Sequence, residues 1–428
     1  MRLLDISRST DISTISQLFT FLPNLAVYPR KIRARMQPPI TWTLDRSQGI
    51  VFAAHCPGRA ATPTTTQNQD QKIKIAAIDL NQTLIVSKSG TLHGKDDADW
   101  KWWHPNVPTK LRVLTEKGYT IIISSNQGRL TDLEGNEVPE AQSFKRKMEF
   151  VLRALDIPVT LIVACANDIN RKPRPGLWSM IPKLTGNNGC YIDKQDSYIV
   201  GDAAGREADF SDSDLHWAMN ADIPFYTPEE FFLGHKQEPR THKFHPDWYL
   251  YGKEDKEPDA DITNLRLSPI VVLIGLPGAG KTTFCRNVLY NLGFTRVDAW
   301  SYSSRQLFLS AVEDAISNDI PVIIDDMNLT VEDRSIWISM ATKNGMPISA
   351  VFFNTSDKLC GHNDSVRAFG GELMNPENRP AYPRLQFFEL VPCLQKPMSS
   401  ERFNSVHEIN FKWRGTDEEL EIWKKFWL

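Results

Sequence analysis

Four stretches of this sequence end in residues that together have the chemistry to break a phosphate ester. The run IAAIDLNQTLI, residues 75–85, delivers Asp79 behind an apolar stretch. YTIIISSNQG closes on Ser124, Ser125, Asn126 and Gln127; Lys172 follows VTLIVACA in NRKPRPG; and SYIVGDAAGR supplies Asp202. A carboxylate nucleophile, hydroxyls that donate to phosphoryl oxygens, a cation that balances charge and an acid for Mg²⁺ are the parts of a phosphoaspartate reaction. Two residues past Asp79, where such chemistry wants a second carboxylate, the chain has Asn81.

A second constellation lies downstream. IVVLIGLPGAGKTTF holds G-x-x-x-x-G-K-T as Gly275, Gly280, Lys281 and Thr282, where an apolar strand gives way to an amphipathic helix. Glycines let backbone N–H groups wrap a phosphate, the helix start adds partial positive charge, the lysine reaches the β/γ-phosphates and the threonine offers a hydroxyl to Mg²⁺. PVIIDD then ends in Asp325 and Asp326, suited to support that ion. Residues 357–379 hold Arg367 and Arg379 in a polar segment that reads either as a lid over a nucleotide or as an ordinary solvated helix. A kinase also needs a base near its acceptor; after GFTRVDAW the candidates are Asp298 and then the chemically unsuited Trp300.

These residues need strand ends to hold them. KIAAID, YTIIISSN, VTLIVACA and SYIVGD alternate with longer amphipathic stretches, and PIVVLIG, PVIIDD and PISAVFFN repeat the pattern. Such alternation predicts parallel sheets with helical crossovers, whose reactive ground is the carboxyl edge of the strands. The fold class is therefore α/β, with two parallel-sheet domains over residues 73–235 and 266–428, joined by a charged, proline-rich connection over 236–265 that packs through Trp248 and Tyr249. Residues 1–72 read as a partly flexible N-terminal extension, with a polar lead-in at 60–72 and folded structure starting near Ile73.

Composition agrees with this division. With 428 residues, 41% hydrophobic and 24% charged, the chain suits a soluble protein of two or three domains. A net charge of -3 neither supports nor excludes a nucleic-acid partner. Six dispersed cysteines without C-x-x-C read as reduced thiols. No run approaches the roughly 18 apolar residues of a membrane span, so no membrane partner is expected. The arginines of residues 1–36 faintly suggest a mitochondrial transit peptide or a basic nuclear signal.

The order of the first set of parts resembles the haloacid dehalogenase superfamily. With the phosphate loop behind it, the chain resembles the eukaryotic polynucleotide kinase 3′-phosphatase family, in a form without a forkhead-associated domain. The likeness rests on a modified DxDxT run (Asp79 to Thr83), DWKWWHPNVP, SNQG, RKPRPGLW, VGDAAGR, DFSDSD and PFYTPEEFFL, then on the phosphate loop, HNDSVR and the tail FKWRGTDEELEIWKKFWL. It spans about residues 73–428.

The resemblance implies a Rossmann-like phosphatase domain followed by a P-loop kinase domain. It implies removal of 3′-phosphates and ATP-dependent phosphorylation of 5′-hydroxyls at DNA ends, DNA repair proteins as partners and residence in the nucleus. Asp79 would be the nucleophile, Ser125 and Lys172 would hold phosphoryl oxygens, and Mg²⁺ would sit on Asp79, the carbonyl of Asn81 and Asp202. Gly275, Gly278, Ala279, Gly280, Lys281, Thr282, Thr283 and Arg367 would bind ATP, with Thr282 also on Mg²⁺. Trp100, Trp102 and Trp103 would line the strand's way in or, more ordinarily, fill core.

Three departures bear on turnover. Asn81 replaces the family's proton-transferring aspartate, Gln82 replaces a small residue, and Trp300 stands where the family's acceptor-activating aspartate falls, leaving Asp298 as the nearest carboxylate. The expectation is a DNA-end-processing enzyme of doubtful catalytic power; the alternative is a weakened or inactive paralogue that binds DNA ends or nucleotide.

Overall fold

The computed structural model describes residues 40–57, 72–91, 94–132, 134–187, 189–250 and 263–428. The targeting signal read in residues 1–36 and nearly all of the polar lead-in lie outside these residues. The first half runs β1 (Thr41–Asp45), β2 (Ile50–His55), β3 (Lys72–Asp79), β4 (Ile85–Val86), β5 (Lys101–Trp102), α1 (Val107–Glu116), β6 (Tyr119–Asn126), α2 (Pro139–Leu155), β7 (Val159–Ala164), α3 (Gly176–Leu184), β8 (Tyr191–Ile192), β9 (Tyr198–Val200), α4 (Ser213–Ala221) and β10 (Phe225–Tyr226). Its main sheet has the order β1-β2-β7-β6-β3-β9-β10, with β8 paired to the start of β3 and β4-β5 forming a separate two-stranded ribbon.

Strands β7, β6, β3, β9 and β10 are mutually parallel. β7, VTLIVA, is buried at every position, as a strand covered on both faces must be. α2 turns Ala141, Met148, Val151, Leu152 and Leu155 inward at helical spacing. The sheet begins upstream of Ile73, the expected start of folded structure. TWTLD and IVFAAH form an antiparallel hairpin, and β2 pairs antiparallel with β7, burying Ile50, Val51 and Ala53. The hairpin covers backbone groups that β7 would otherwise leave open at an edge.

The second half runs β11 (Ile270–Ile274), α5 (Lys281–Phe284), β12 (Thr295–Asp298), α6 (Arg305–Ser317), β13 (Val322–Asp325), α7 (Val331–Lys343), β14 (Ile348–Asn354), α8 (Asp357–Phe369), α9 (Arg384–Leu390), β15 (Ser405–Asn410) and α10 (Asp417–Trp423). All five strands are parallel in the order β12-β13-β11-β14-β15. The order reverses at β11, so the phosphate loop leaves the sheet at the switch point where α/β proteins bind ligands.

Between the halves, Phe244 rather than Trp248 anchors the connection. Phe244 is buried in a cluster with Leu359, Val366, Trp423 and Trp427, whereas Trp248 is 55% exposed. Tyr249 stacks on Phe244 and its hydroxyl meets that of Ser356.

Candidate functional site

β3 carries Asp79 to the carboxyl edge of the first sheet, where it pairs in register with Ser124 on β6. Lys172 reaches the same point from the loop after β7. Its Nζ lies 2.6 Å from Asp79 Oδ1 and 2.7 Å from Asp214 Oδ1, and it also donates to the carbonyl of Ser124. Asn126 holds that loop twice, accepting from the Lys172 N–H and donating to its carbonyl. Thr83 donates to Asp202, and the buried Ser125 accepts from the Gln127 amide.

Asp79, Lys172 and Asp202, named from sequence, thus converge. The fourth member, Asp214, did not emerge from the strand ends because it sits in the first turn of α4. The signal available was the acid-rich run DFSDSD. Close approach of β9 and α4 creates the site: a Cβ on Gly201 would lie 2.4 Å from the Asp214 carboxylate, so a larger residue would force Asp214 out.

The charges do not balance within the cluster. Asp79, Asp202 and Asp214 place carboxylate oxygens within 4.8 Å of one another, and among the described residues only Lys172 pairs with them as a cation. Were all three carboxylates ionised, one ammonium would leave two negative charges in a largely buried place, which favours keeping a proton. Burial, with the charges of Asp214 and Asp202, pushes the Asp79 carboxyl up to about 8 against the pull of Lys172. Burial and Asp214 push Asp202 up to about 6. Burial works against the Lys172 ammonium, but Asp214 and Asp79 outweigh it and hold it charged. This all-oxygen set, doubly negative once its proton is displaced, fits a small hard dication such as Mg²⁺.

An expected result follows from these protonation states. Near pH 7 the Asp79 carboxyl holds its proton, so Mg²⁺ binding should release on the order of one proton. Calorimetric titration in two buffers of different ionisation enthalpy reads this directly. Proton-neutral binding would show that the ion does not use Asp79.

Asn81, two residues past Asp79, lines a pocket with Ile85, Val86, Ser87, Asp99, Trp100 and Lys147. Trp100 and Trp102 meet edge to face, and all three tryptophans of the 100–103 run pack on the core, so Trp100 serves both core and pocket wall. Gln82 has φ 58°, a left-handed conformation that favours glycine. Gln82→Gly should stabilise the protein by up to about 1.5 kcal/mol, the roughly 1–2 kcal/mol left-handed penalty less about 0.5–1 kcal/mol of chain entropy. Thermal unfolding of the two proteins checks it.

In the second half, Gly278 has φ 79°, and a Cβ there would meet the Cys360 carbonyl of α8 at 2.0 Å. Ala279 is buried, its carbonyl accepting from Thr355, and Thr283 is exposed on α5. Gly280 has φ 99° and leads into Lys281, whose Nζ donates to the carbonyls of Gly275 and Leu276. Burial lowers the Lys281 ammonium pKa. Thr282 donates to Asp325 at 3.0 Å, the hydroxyl–acid pair expected of a Mg²⁺-supporting site.

Register places Asp298 beside Asp325, but both acids are engaged by arginines. Arg296 lies 2.7 Å from Asp325, and Arg379 lies 2.9 Å from Asp298, which also caps the Trp300 N–H. Glu377 ties Arg286, Arg296 and Arg379 together. Trp300 is 59% exposed beneath the Arg379 guanidinium. Arg367, expected to bind ATP, lies in the last turn of α8 and binds Asp364 and the carbonyls of Arg379 and Pro380, so it braces the chain at 379–380 while Arg379 reaches the strand ends. Arg296 and Glu377 were not singled out from sequence, since neither stands in a recognisable motif.

Comparison with known proteins agrees with this two-site architecture. The family profile "Polynucleotide kinase 3 phosphatase" matches residues 74–232, and an "AAA domain" profile matches residues 298–379. A bifunctional polynucleotide phosphatase/kinase of Schizosaccharomyces pombe is 34% identical over 79% of this chain and 80% of its own. The chain belongs to the bifunctional polynucleotide phosphatase/kinase family. A protein of Acanthamoeba polyphaga mimivirus is 29% identical over 83% of this family member and 89% of its own length. A polynucleotide 3′-phosphatase of Arabidopsis thaliana is 31% identical over 39% of this chain and 25% of its own. The phosphatase and kinase halves of the family thus correspond to the two sheets.

Proposed function

We propose that the protein processes DNA ends in the nucleus as part of strand-break repair, taking phosphate from 3′ termini at the first site and binding ATP to phosphorylate 5′-hydroxyls at the second. The observation that carries the phosphatase reading is the buried Asp79–Lys172–Asp214–Asp202 cluster at a sheet's carboxyl edge. Asp79 would attack the phosphorus, forming a phosphoaspartate and expelling the 3′-oxygen, and water would then release phosphate. Lys172 and Ser125 would hold the phosphoryl oxygens. Asp79, Asp202 and Asp214, with the Asn81 carbonyl, would hold Mg²⁺, which supplies charge neutralisation at the phosphate when bound.

Asn81 lacks the proton that the leaving 3′-oxygen needs, so phosphate binding should outlast turnover. The kinase half has the same character. Its phosphate loop and Thr282–Asp325 pair suit MgATP, while Arg379 and Arg296 neutralise the acids nearest the acceptor. These neutralised acids favour the second reading, a DNA-end or nucleotide binder with little turnover.

Phosphate release from a 3′-phosphorylated oligonucleotide, in competition with nucleoside and sugar phosphates, tests the substrate class. Success of the small phosphates over the oligonucleotide would overturn it. For the kinase, Trp300→Asp should raise labelling of 5′-hydroxyl ends by about 10²-fold or more if proton transfer limits it. Unchanged labelling would place the limit in the Arg379–Asp298 pairing.

A further inference from the structure

Both halves fall within one compact unit, Pro38–Leu428, and the segment after α10 reaches Arg174 and Asn220, close to the phosphatase lysine in the chain and in the fold. We infer that Phe426 and Trp427 are positioning residues for Lys172, so that the phosphatase site is completed by chain belonging to the kinase half. The inference rests on reading the Asp79 cluster as a phosphatase site.

Lys172 is followed by Pro173 and Arg174; the kinase side grips Arg174 directly and Pro173 through Asn220 of α4. Asn220 Nδ2 donates to the Pro173 carbonyl at 2.8 Å and to the Phe426 carbonyl at 2.7 Å, while its Oδ1 accepts from the Phe426 N–H at 2.8 Å. Arg174 Nε donates to the Trp427 carbonyl at 3.2 Å, and its guanidinium lies over the ring of Phe369 on α8. Arg174, Phe426 and Trp427 are all buried.

The same contact fixes α4. The His216 ring stacks on Phe426 with centroids 3.8 Å apart. Trp217, on the same helix, lies under the Lys172 ammonium at 5.5 Å. Asp214, which pairs with Lys172, opens that helix, and Asn220 lies near its end. One clamp therefore sets the lysine loop and the helix that supplies its acidic partner.

The clamp is anchored on rigid kinase elements. Trp423 Nε1 donates to Asn363 on α8, whose amide donates to the Gly278 carbonyl of the phosphate loop. Trp427 Nε1 donates back to the Ile422 carbonyl. A misplacement of about 1 Å can cost up to 10²-fold in rate, so losing this brace should be felt at Asp79.

The test compares the full chain, a chain lacking Phe426–Leu428, and Asn220→Asp, which keeps the shape but loses both donated bonds. Hydrogen exchange of the Arg171, Lys172, Arg174 and Gly176 amides reads the loop without relying on turnover. Both variants should raise it about tenfold or more while β3 and β6 stay protected. In the Asn81→Asp background, kcat for 3′-phosphate release should fall about tenfold with KM little changed, as expected of displaced catalytic groups. Unchanged loop exchange in Asn220→Asp would overturn the inference, even if the shortened chain fails to fold. Raised exchange with no phosphate release from the parent would uphold the positioning and sink the phosphatase reading instead.

Discussion

Asn81→Asp should raise 3′-phosphate release by about 10²–10⁴-fold, the range a positioned acid/base is worth. The leaving 3′-alkoxide requires a proton and the incoming water must lose one. A carboxamide does neither near neutral pH, whereas an aspartate at the same place does both in turn. Asn81 lines the pocket with Asp99, Trp100 and Lys147, and aspartate matches asparagine in size, so the exchange adds no bulk there. Asp79, Lys172, Asp202 and Asp214 do not depend on that side chain for their contacts. The gain should therefore appear in kcat, with KM shifted little. Steady-state release from a 3′-phosphorylated oligonucleotide measures it, with Asp79→Asn as the inactive control. Zero release by both proteins would remove the enzyme reading for this half. A gain well below tenfold would make Gln82 or loop placement the limiting defect.

How far the site was legible in the sequence follows from the same geometry. The strand-end rule located Asp79, Lys172 and Asp202 because a parallel sheet delivers every strand to one edge. It could not locate Asp214, which reaches the cluster through a helix start and a glycine-permitted close approach at Gly201. Nor could it see that Asp298 and Asp325 are engaged by Arg379 and Arg296, since ion pairing across a sheet edge leaves no periodic signal. The β1–β2 hairpin escaped for another reason. The polar stretch that follows it suggested that folded chain begins later, while pairing to β7 is long-range and rests on a hydrophobic alternation only a few residues long. The glycine-rich loop after β11 was legible in its backbone, since glycine spacing dictates the left-handed turns at Gly278 and Gly280.

Lys172→Met should strongly destabilise the phosphatase half above neutral pH, and its cost should depend on pH. The lysine is nearly inaccessible and bonds two carboxylates, so methionine fills its volume while leaving Asp79 and Asp214 unpaired. Breaking a buried pair on one side typically costs about 3–5 kcal/mol. Asp79 and Asp202 are held above the ordinary carboxylate value of 3.8 in the folded protein, at about 8 and about 6. Between those values and 3.8 the folded state binds more protons than the unfolded one, so the stability due to these groups falls as pH rises. Removing Lys172 widens that window, since the remaining acids lose their cation. The variant should thus be close to the parent at pH 5 and fall furthest behind at pH 8, where Mg²⁺ should recover part of the loss by replacing the missing positive charge. Denaturant midpoints at the two pH values, with and without Mg²⁺, decide the matter. An equal loss at both would assign the cost to packing against Trp217, and the charge account of the cluster would fail.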